Sequence, residues 1–429
     1  MNSELSATPI DYNFSNSYLN LKGHIITGNL NLKFIGNEKI LIGDVTISDI
    51  DAQKSDLPFI SSAYSYIKSL GVDMHSKDYL QKFVPLRNLK LKSTLTLNLE
   101  NFTADNVVFD RISAATSFDF GQIKLDDLYL HIKNKLLLKG DARLSATSIQ
   151  PQIKANLSGG YINISDLPSD KLDKFLQYLQ SEVNLKAFDI SVEGKLDYIK
   201  FPRLNAQNID ISIDDDKNDI LNFKKFNFSS LGSAVKVSGN ASLNPIRVSA
   251  AFGVDSLDVS KAFEELLPSM EGIRNGRVSF SGQFSSAGDT LRNIIHNGYL
   301  NGKFISRDNL FMGVNIPSII DGLSSVNLDK SSAMKIFGSN ANSGSSLFNE
   351  IRGDYEYSGG IFSFKNVDVA ADKYTISAGL AFNIYDQILD LRSIISFYPI
   401  GARIISTTSV PQVKLEMVSK GSIFGAERR

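Results

Sequence analysis

Polar and apolar residues alternate along most of this chain. Thr94-Leu95-Thr96-Leu97-Asn98-Leu99 alternates without a break, as do Phe188-Asp189-Ile190-Ser191-Val192 and Asn208-Ile209-Asp210-Ile211-Ser212-Ile213. Val235-Lys236-Val237, Arg277-Val278-Ser279-Phe280 and Thr375-Ile376-Ser377-Ala378 continue the pattern. A period of two sends successive side chains to opposite faces, so each run predicts a strand with one wet and one apolar face. Gly, Asn and Asp interrupt the runs about every ten residues, which predicts hairpins and a meander.

Helical periodicity is local. Residues 56–71 predict a helix with Asp56 as cap, Pro58 in its first turn, Ile60, Tyr64 and Ile67 on one face, and Gly71 as terminator. Residues 169–182 place Leu172, Phe175, Leu176 and Leu179 on one stripe, with Ser169 as cap. Shorter helices are predicted over 260–267 and 317–323. Each follows a strand ending in an apolar–Asp/Asn–apolar step: Ile47-Ser48-Asp49-Ile50, Ile164-Ser165-Asp166-Leu167, Ser256-Leu257-Asp258-Val259 and Val314-Asn315-Ile316. The copies are unevenly spaced, which describes a loose repeat: strand blocks extending a sheet, with short helices at crossovers or edges.

Composition narrows the functions. The 429 residues are 42% hydrophobic, enough to bury a large core. Lys+Arg 45 against Asp+Glu 46 gives a net charge of −1. No dense basic cluster exists, so no nucleic-acid partner is expected. The acidic run Asp214-Asp215-Asp216, next to Lys217, reads as a solvated turn. Cys is absent, which removes disulfides, thiol catalysis and cysteine-ligated zinc. No segment approaches the roughly 18 apolar residues of a spanning helix. Residues 1–13 lack the basic and apolar regions of a signal peptide.

No reaction is legible. His24, His75, His131 and His296 have no second ligand at metal-binding spacing, so neither a metal nor a cofactor is expected. Gly298-Tyr299-Leu300-Asn301-Gly302-Lys303 is one residue short of a phosphate loop and lacks the following Ser/Thr. It reads as a hairpin turn. Alternation places the many strand carboxylates on the wet face, where solvation accounts for them. The chain is read as non-enzymatic.

The last third carries a family pattern. Gly276 to Gly282 reads G-R-V-S-F-S-G, followed by Gly288, Leu291 and the segment Asn297 to Phe304. Then come Asp308, Leu310 and Gly313-Val314-Asn315-Ile316, later Ser346 to Gly353, Val367-Asp368-Val369, Ile376 to Gly379 and Ile388-Leu389-Asp390-Leu391. This order resembles the AsmA C-terminal region: a two-glycine strand, a short helix, an L-N-G strand, a D-G-x-L-x-G-x-D step before a helix, and closing strands. Residues 233–429 carry the resemblance, and looser echoes extend through the N-terminal part, residues 1–232. Asn309 and Asn315 replace the family's Gly and Asp, and Asn accepts left-handed and capping roles. Family members begin with a spanning helix that is missing here, which points to a truncated or split product, or an anchor supplied by another polypeptide.

The resemblance implies a mainly β fold: an extended, strongly curved antiparallel sheet, a β-groove or taco, with a few short helices. It implies phospholipid or another acyl-chain lipid as partner, membrane association through an anchor or partner, and outer-membrane assembly as a process. The location implied is the cell envelope, on the periplasmic side of the inner membrane. Leu95, Leu97, Leu99, Ile190, Ile209, Ile211, Val237, Val278, Phe280, Phe362 and Ile376 are the residues expected to line the groove, by parity within their strands. Acyl chains gain about 0.8 kcal/mol per buried CH₂, so such a site needs no polar motif. Alternation leaves a dry two-sheet core open, and a scaffold binding partners through sheet edges is the other reading.

Overall fold

A computed structural model describes residues 2–21, 24–55, 58–166, 168–202, 204–215, 219–266, 273–312, 315–323, 330–340, 344–371, 374–383, 385–386, 388–397 and 413–422. The chain forms two compact units: Met1–Phe228 with Ser238–Arg247, and Ser229–Val237 with Val248–Arg429. Both are built mainly from strands.

Unit one carries β1 (Asn2–Thr8), β2 (Asp11–Leu21), β3 (His24–Ile35), β4 (Glu38–Ser48), β5 (Leu91–Ala104) and β6 (Val107–Asp119). It continues with β7 (Gln122–Ile132), β8 (Leu136–Ser145), β9 (Gln152–Asn163), β10 (Asp189–Lys200) and β11 (Asn205–Asp215). Neighbours in sequence pair antiparallel, with two exceptions. The β4–β5 and β9–β10 ladders are parallel, within a unit where antiparallel pairing dominates as expected. Parallel neighbours need a crossover, and the helices supply it. Residues 49–90 hold α1 (Pro58–Leu70), a 3₁₀ turn (Tyr79–Phe83) and α2 (Val84–Asn88); residues 164–188 hold α3 (Ser169–Glu182).

Both crossovers leave at the recurring apolar–Asp–apolar step. At the first, Asp49 adopts φ 60° and Ile50 turns into the interior. Tyr79, Phe83 and Phe188 then meet edge-on, each pair of rings 5.8 Å apart, and fasten the first crossover to the start of β10. Gly194 of β10 has φ +133°, and a Cβ there would lie 2.0 Å from the Leu157 carbonyl oxygen. Only glycine lets β9 and β10 approach so closely.

Strands β12 (Ile220–Ser230), β13 (Ser233–Leu243) and β14 (Ile246–Asp258) contribute segments to both units. Unit two contains α4 (Val259–Leu266), β15 (Ile273–Ala287), α5 (Leu291–His296), β16 (Tyr299–Met312), α6 (Ile316–Leu323) and α7 (Lys330–Asn340). An antiparallel meander follows: β17 (Ser345–Ser358), β18 (Ile361–Ala370), β19 (Tyr374–Asn383), β20 (Ile388–Phe397) and β21 (Val413–Ser422). Strand β15 pairs with β16, and β16 with β17. The apolar stripe of α6, Ile316 and Ile320, packs on Phe348, Val369, Ile376, Ile395 and Phe397.

Helices α1, α3, α4 and α6 fall where periodicity predicts them, within two residues at each end. The 3₁₀ turn, α2 and α7 lack an apolar stripe and have no such signal. Three local readings change. Pro168, not Ser169, is the N-cap of α3, and its carbonyl accepts the Lys171 amide at 3.1 Å. Residues 299–303 are not a hairpin turn but the ladder start of β16, entered directly from α5. Asp214 and Asp215 end β11, where Asp214 pairs with Lys224 and Asp215 accepts the Ile190 amide at 2.9 Å. Asp216, Lys217 and Asp56 lie outside the described residues.

Candidate functional site

Strand register shows which side chains share a face. Stepping across the ladders from β2 to β11, Phe14 opposes Leu30, then Gly43, Leu95, Thr116, Leu125, Ala142, Ala155, Val192 and Ile213. Only Thr116 in this row is polar. The neighbouring row on the other face runs Asn13, Asn31, Ile42, Thr94, Ser117, Lys124, Arg143, Lys154, Ser191 and Asp214, with Ile42 its one apolar member. Unit one is therefore apolar on one side and polar on the other, as alternation demands.

Leu95, Leu97, Leu99, Ile190, Ile209 and Ile211 all stand on the apolar face of unit one. Leu97 opposes Val45 and Ala114, and Leu99 opposes Ile47 and Ile112. Val278, Phe280, Phe362 and Ile376 share the corresponding face of unit two. Val237 takes the half-buried parity of β13.

What covers these residues differs sharply. Ile209 and Ile211 are 0% and 7% exposed, packed with Leu196, Ala206, Leu157, Phe226 and Phe228. Ile376 lies in the cluster that α6 caps. Protein fills the space over these three, so they are core and not free lining. Ile190 is half-buried beside Tyr79, Phe83 and Phe188. Leu95, Leu97, Leu99, Val278, Phe280 and Phe362 are also only half-buried.

The open part of unit one is a cavity of about 820 Å³ between α1, α3 and the sheet. Leu97, Leu99, Phe102, Ile112 and Leu130 line it from the strands, and Ile60 and Ile67 from α1. Tyr178 of α3 closes one end, its hydroxyl donating to the Gly71 carbonyl at 3.3 Å. At the mouth, Lys68 Nζ lies 2.6 Å from Asp105 Oδ1 and 3.4 Å from Tyr64 Oη. The hydrogen bond to Asp105 raises the Lys68 pKa, and the same bond from Lys68 lowers that of Asp105. Asp105 and Asn106 carry φ of 46° and 64° in the β5–β6 hairpin, the conformation of a type I′ turn.

In unit two the apolar face is aromatic. Phe252 meets Phe280 at 6.5 Å, Phe304 meets Phe364 at 5.7 Å, and Tyr357 meets Phe362 at 4.7 Å. Gly282 of β15 and Gly302 of β16 have a physical cause here. A Cβ on Gly282 or Gly302 would approach Tyr355 Oη to 2.6 or 2.4 Å, because Tyr355 lies across both to donate to the Ser281 carbonyl. Asn315 caps α6 as anticipated, accepting the Ser318 amide at 3.0 Å. Asn309 does not take the left-handed position: Asp308 does, at φ 56°, and Asn309 is buried, accepting the Ser306 hydroxyl at 2.6 Å.

Sequence reasoning missed Phe102, Phe109 and the Lys68–Asp105 mouth. The Asp105-Asn106 turn signal places that hairpin tip, but not the helix that reaches it. Among the described residues, no group of three or more His, Asp or Glu side chains is placed to hold a metal. His131 sits 3.7 Å from Asp110, and His296 Nδ1 lies 3.1 Å from the Tyr385 hydroxyl. No described helix is long and apolar enough to cross a membrane. No protein-family model, curated protein or solved structure matches the chain.

Proposed function

We propose that this protein is an AsmA-like, non-enzymatic lipid-groove protein that holds or conducts phospholipid, or another acyl-chain lipid, on its apolar face. Its place in this reading is the bacterial cell envelope, on the periplasmic side of the inner membrane, in support of outer-membrane assembly. The observation that carries the reading is the apolar row from Phe14 to Ile213, which protein covers only in part. A long, half-covered apolar face needs a partner in water, and a flexible acyl chain fits an irregular one without directed contacts. The order of glycine strand, short helix and L-N-G strand in unit two is the pattern on which the AsmA resemblance rests.

Leu97→Asp and Phe280→Asp test it. Both side chains are half-buried, so a carboxylate there stays within reach of water and costs stability only modestly, on the order of 1–2 kcal/mol. The expected result is a folded protein that retains markedly less lipid than wild type, read by thermal melting and lipid extraction on the same samples. Variants that unfold, from a wild type that carries no lipid, would replace the groove with a dry core.

A further inference from the structure

Apart from the Tyr64 and Tyr178 hydroxyls, the side chains lining the cavity beneath α1 are apolar except for one charged pair. Lys68 and Asp105 are the charged residues among those that line it, and both stand at the mouth, with side chains half exposed at 50% and 55%. An exposed pair of this kind is held weakly, so Lys68 exchanges partners at little cost. Asp105 is prepared for that exchange, because its Oδ1 also accepts Gln53 Nε2 at 2.8 Å and keeps a donor when Lys68 turns away. A pocket of this volume with a single charged pole is the size and character of a site for one small amphiphile.

We propose that this cavity binds a single-chain amphiphile with an anionic head, a carboxylate or a phosphate monoester. The acyl chain lies against Leu97, Leu99 and Ile112, and the head takes the Lys68 ammonium in place of Asp105. The site deepens the lipid-holding reading and rests on it. A cationic head is disfavoured, because it meets the Lys68 charge while Asp105 is already engaged by two donors.

The chain has no Trp, so Ile67→Trp introduces a lone fluorescent reporter at the cavity wall. Ile67 is 67% exposed, and the larger ring there leaves the core untouched. The full chain carrying this substitution is titrated with palmitate, hexadecyl phosphate, hexadecanol and hexadecyltrimethylammonium, each below its micellar concentration. The expected result is a blue shift with at least one anionic probe, bound about fivefold or more tighter than the cationic one, the scale of one exposed charge contact. Lys68→Gln in the same background should erase that preference and leave hexadecanol binding unchanged. Competition of radiolabelled palmitate on wild type gives the same comparison without the reporter. Equal affinity for anionic and cationic heads, or a preference that survives Lys68→Gln, would overturn the proposal. Lipid co-purifying with wild type while palmitate neither shifts the indole nor binds in the radiolabel assay overturns this site alone. A wild type with no bound lipid at all overturns the reading beneath it.

Discussion

Ile209→Asp is expected to unfold unit one or to lower its stability by about 4–5 kcal/mol, far more than the same change at Leu97. Ile209 has no exposed surface and packs against Leu196, Ala206 and Ile211. A carboxylate there must be buried without a partner or protonated, and either course forfeits the contacts of the lost side chain. Urea unfolding followed by far-UV circular dichroism measures the difference. A loss below about 1 kcal/mol would mean that this part of the face is open, and that the distinction between covered and free segments is misplaced. Ile211→Asp should follow Ile209, not Leu97, because Ile211 shares the same dry cluster.

Phe83→Ala should cost about 3–5 kcal/mol, the range for deleting a buried ring whose neighbours cannot collapse into the space. Phe83 is 1% exposed and packs edge-on to Tyr79 and Phe188. The effect should also be local. The triad ties the first crossover to β10, so its loss loosens the segment carrying α1 and opens the cavity before the ladders melt. Hydrogen exchange would then accelerate first across residues 58–88. Uniform acceleration along β5 to β11 would contradict a docking role for the triad.

Strand faces were legible in this sequence and their covers were not. Period-two alternation assigned the side of Leu97, Ile211, Phe280 and Ile376, because side-chain direction in a strand is a local property. Whether that side meets protein or open space depends on partners far away in the chain. Ile211 and Leu97 look alike in their own strands, yet Phe226 and Phe228 fall near the cluster holding one, and the other faces a cavity. Helices with a clear stripe, α1, α3, α4 and α6, were equally legible. The Tyr79–Phe83 turn was not, since five residues at a 3₁₀ pitch leave no stripe to detect. The parallel ladders had a signal that was only half used. The recurring Ile-Ser-Asp step marked the crossover, but the return direction follows from crossover length, not from that step.

Native mass spectrometry of the wild-type chain, purified without detergent from a bacterial host, tests the central claim most directly. An apolar face half-covered by protein should arrive occupied. The expected spectrum shows the chain with adducts at phospholipid or fatty-acid masses, diminished in Leu97→Asp, which still melts cooperatively at a temperature only a few degrees lower. A folded, cooperatively melting wild type observed only at its bare mass would contradict the account.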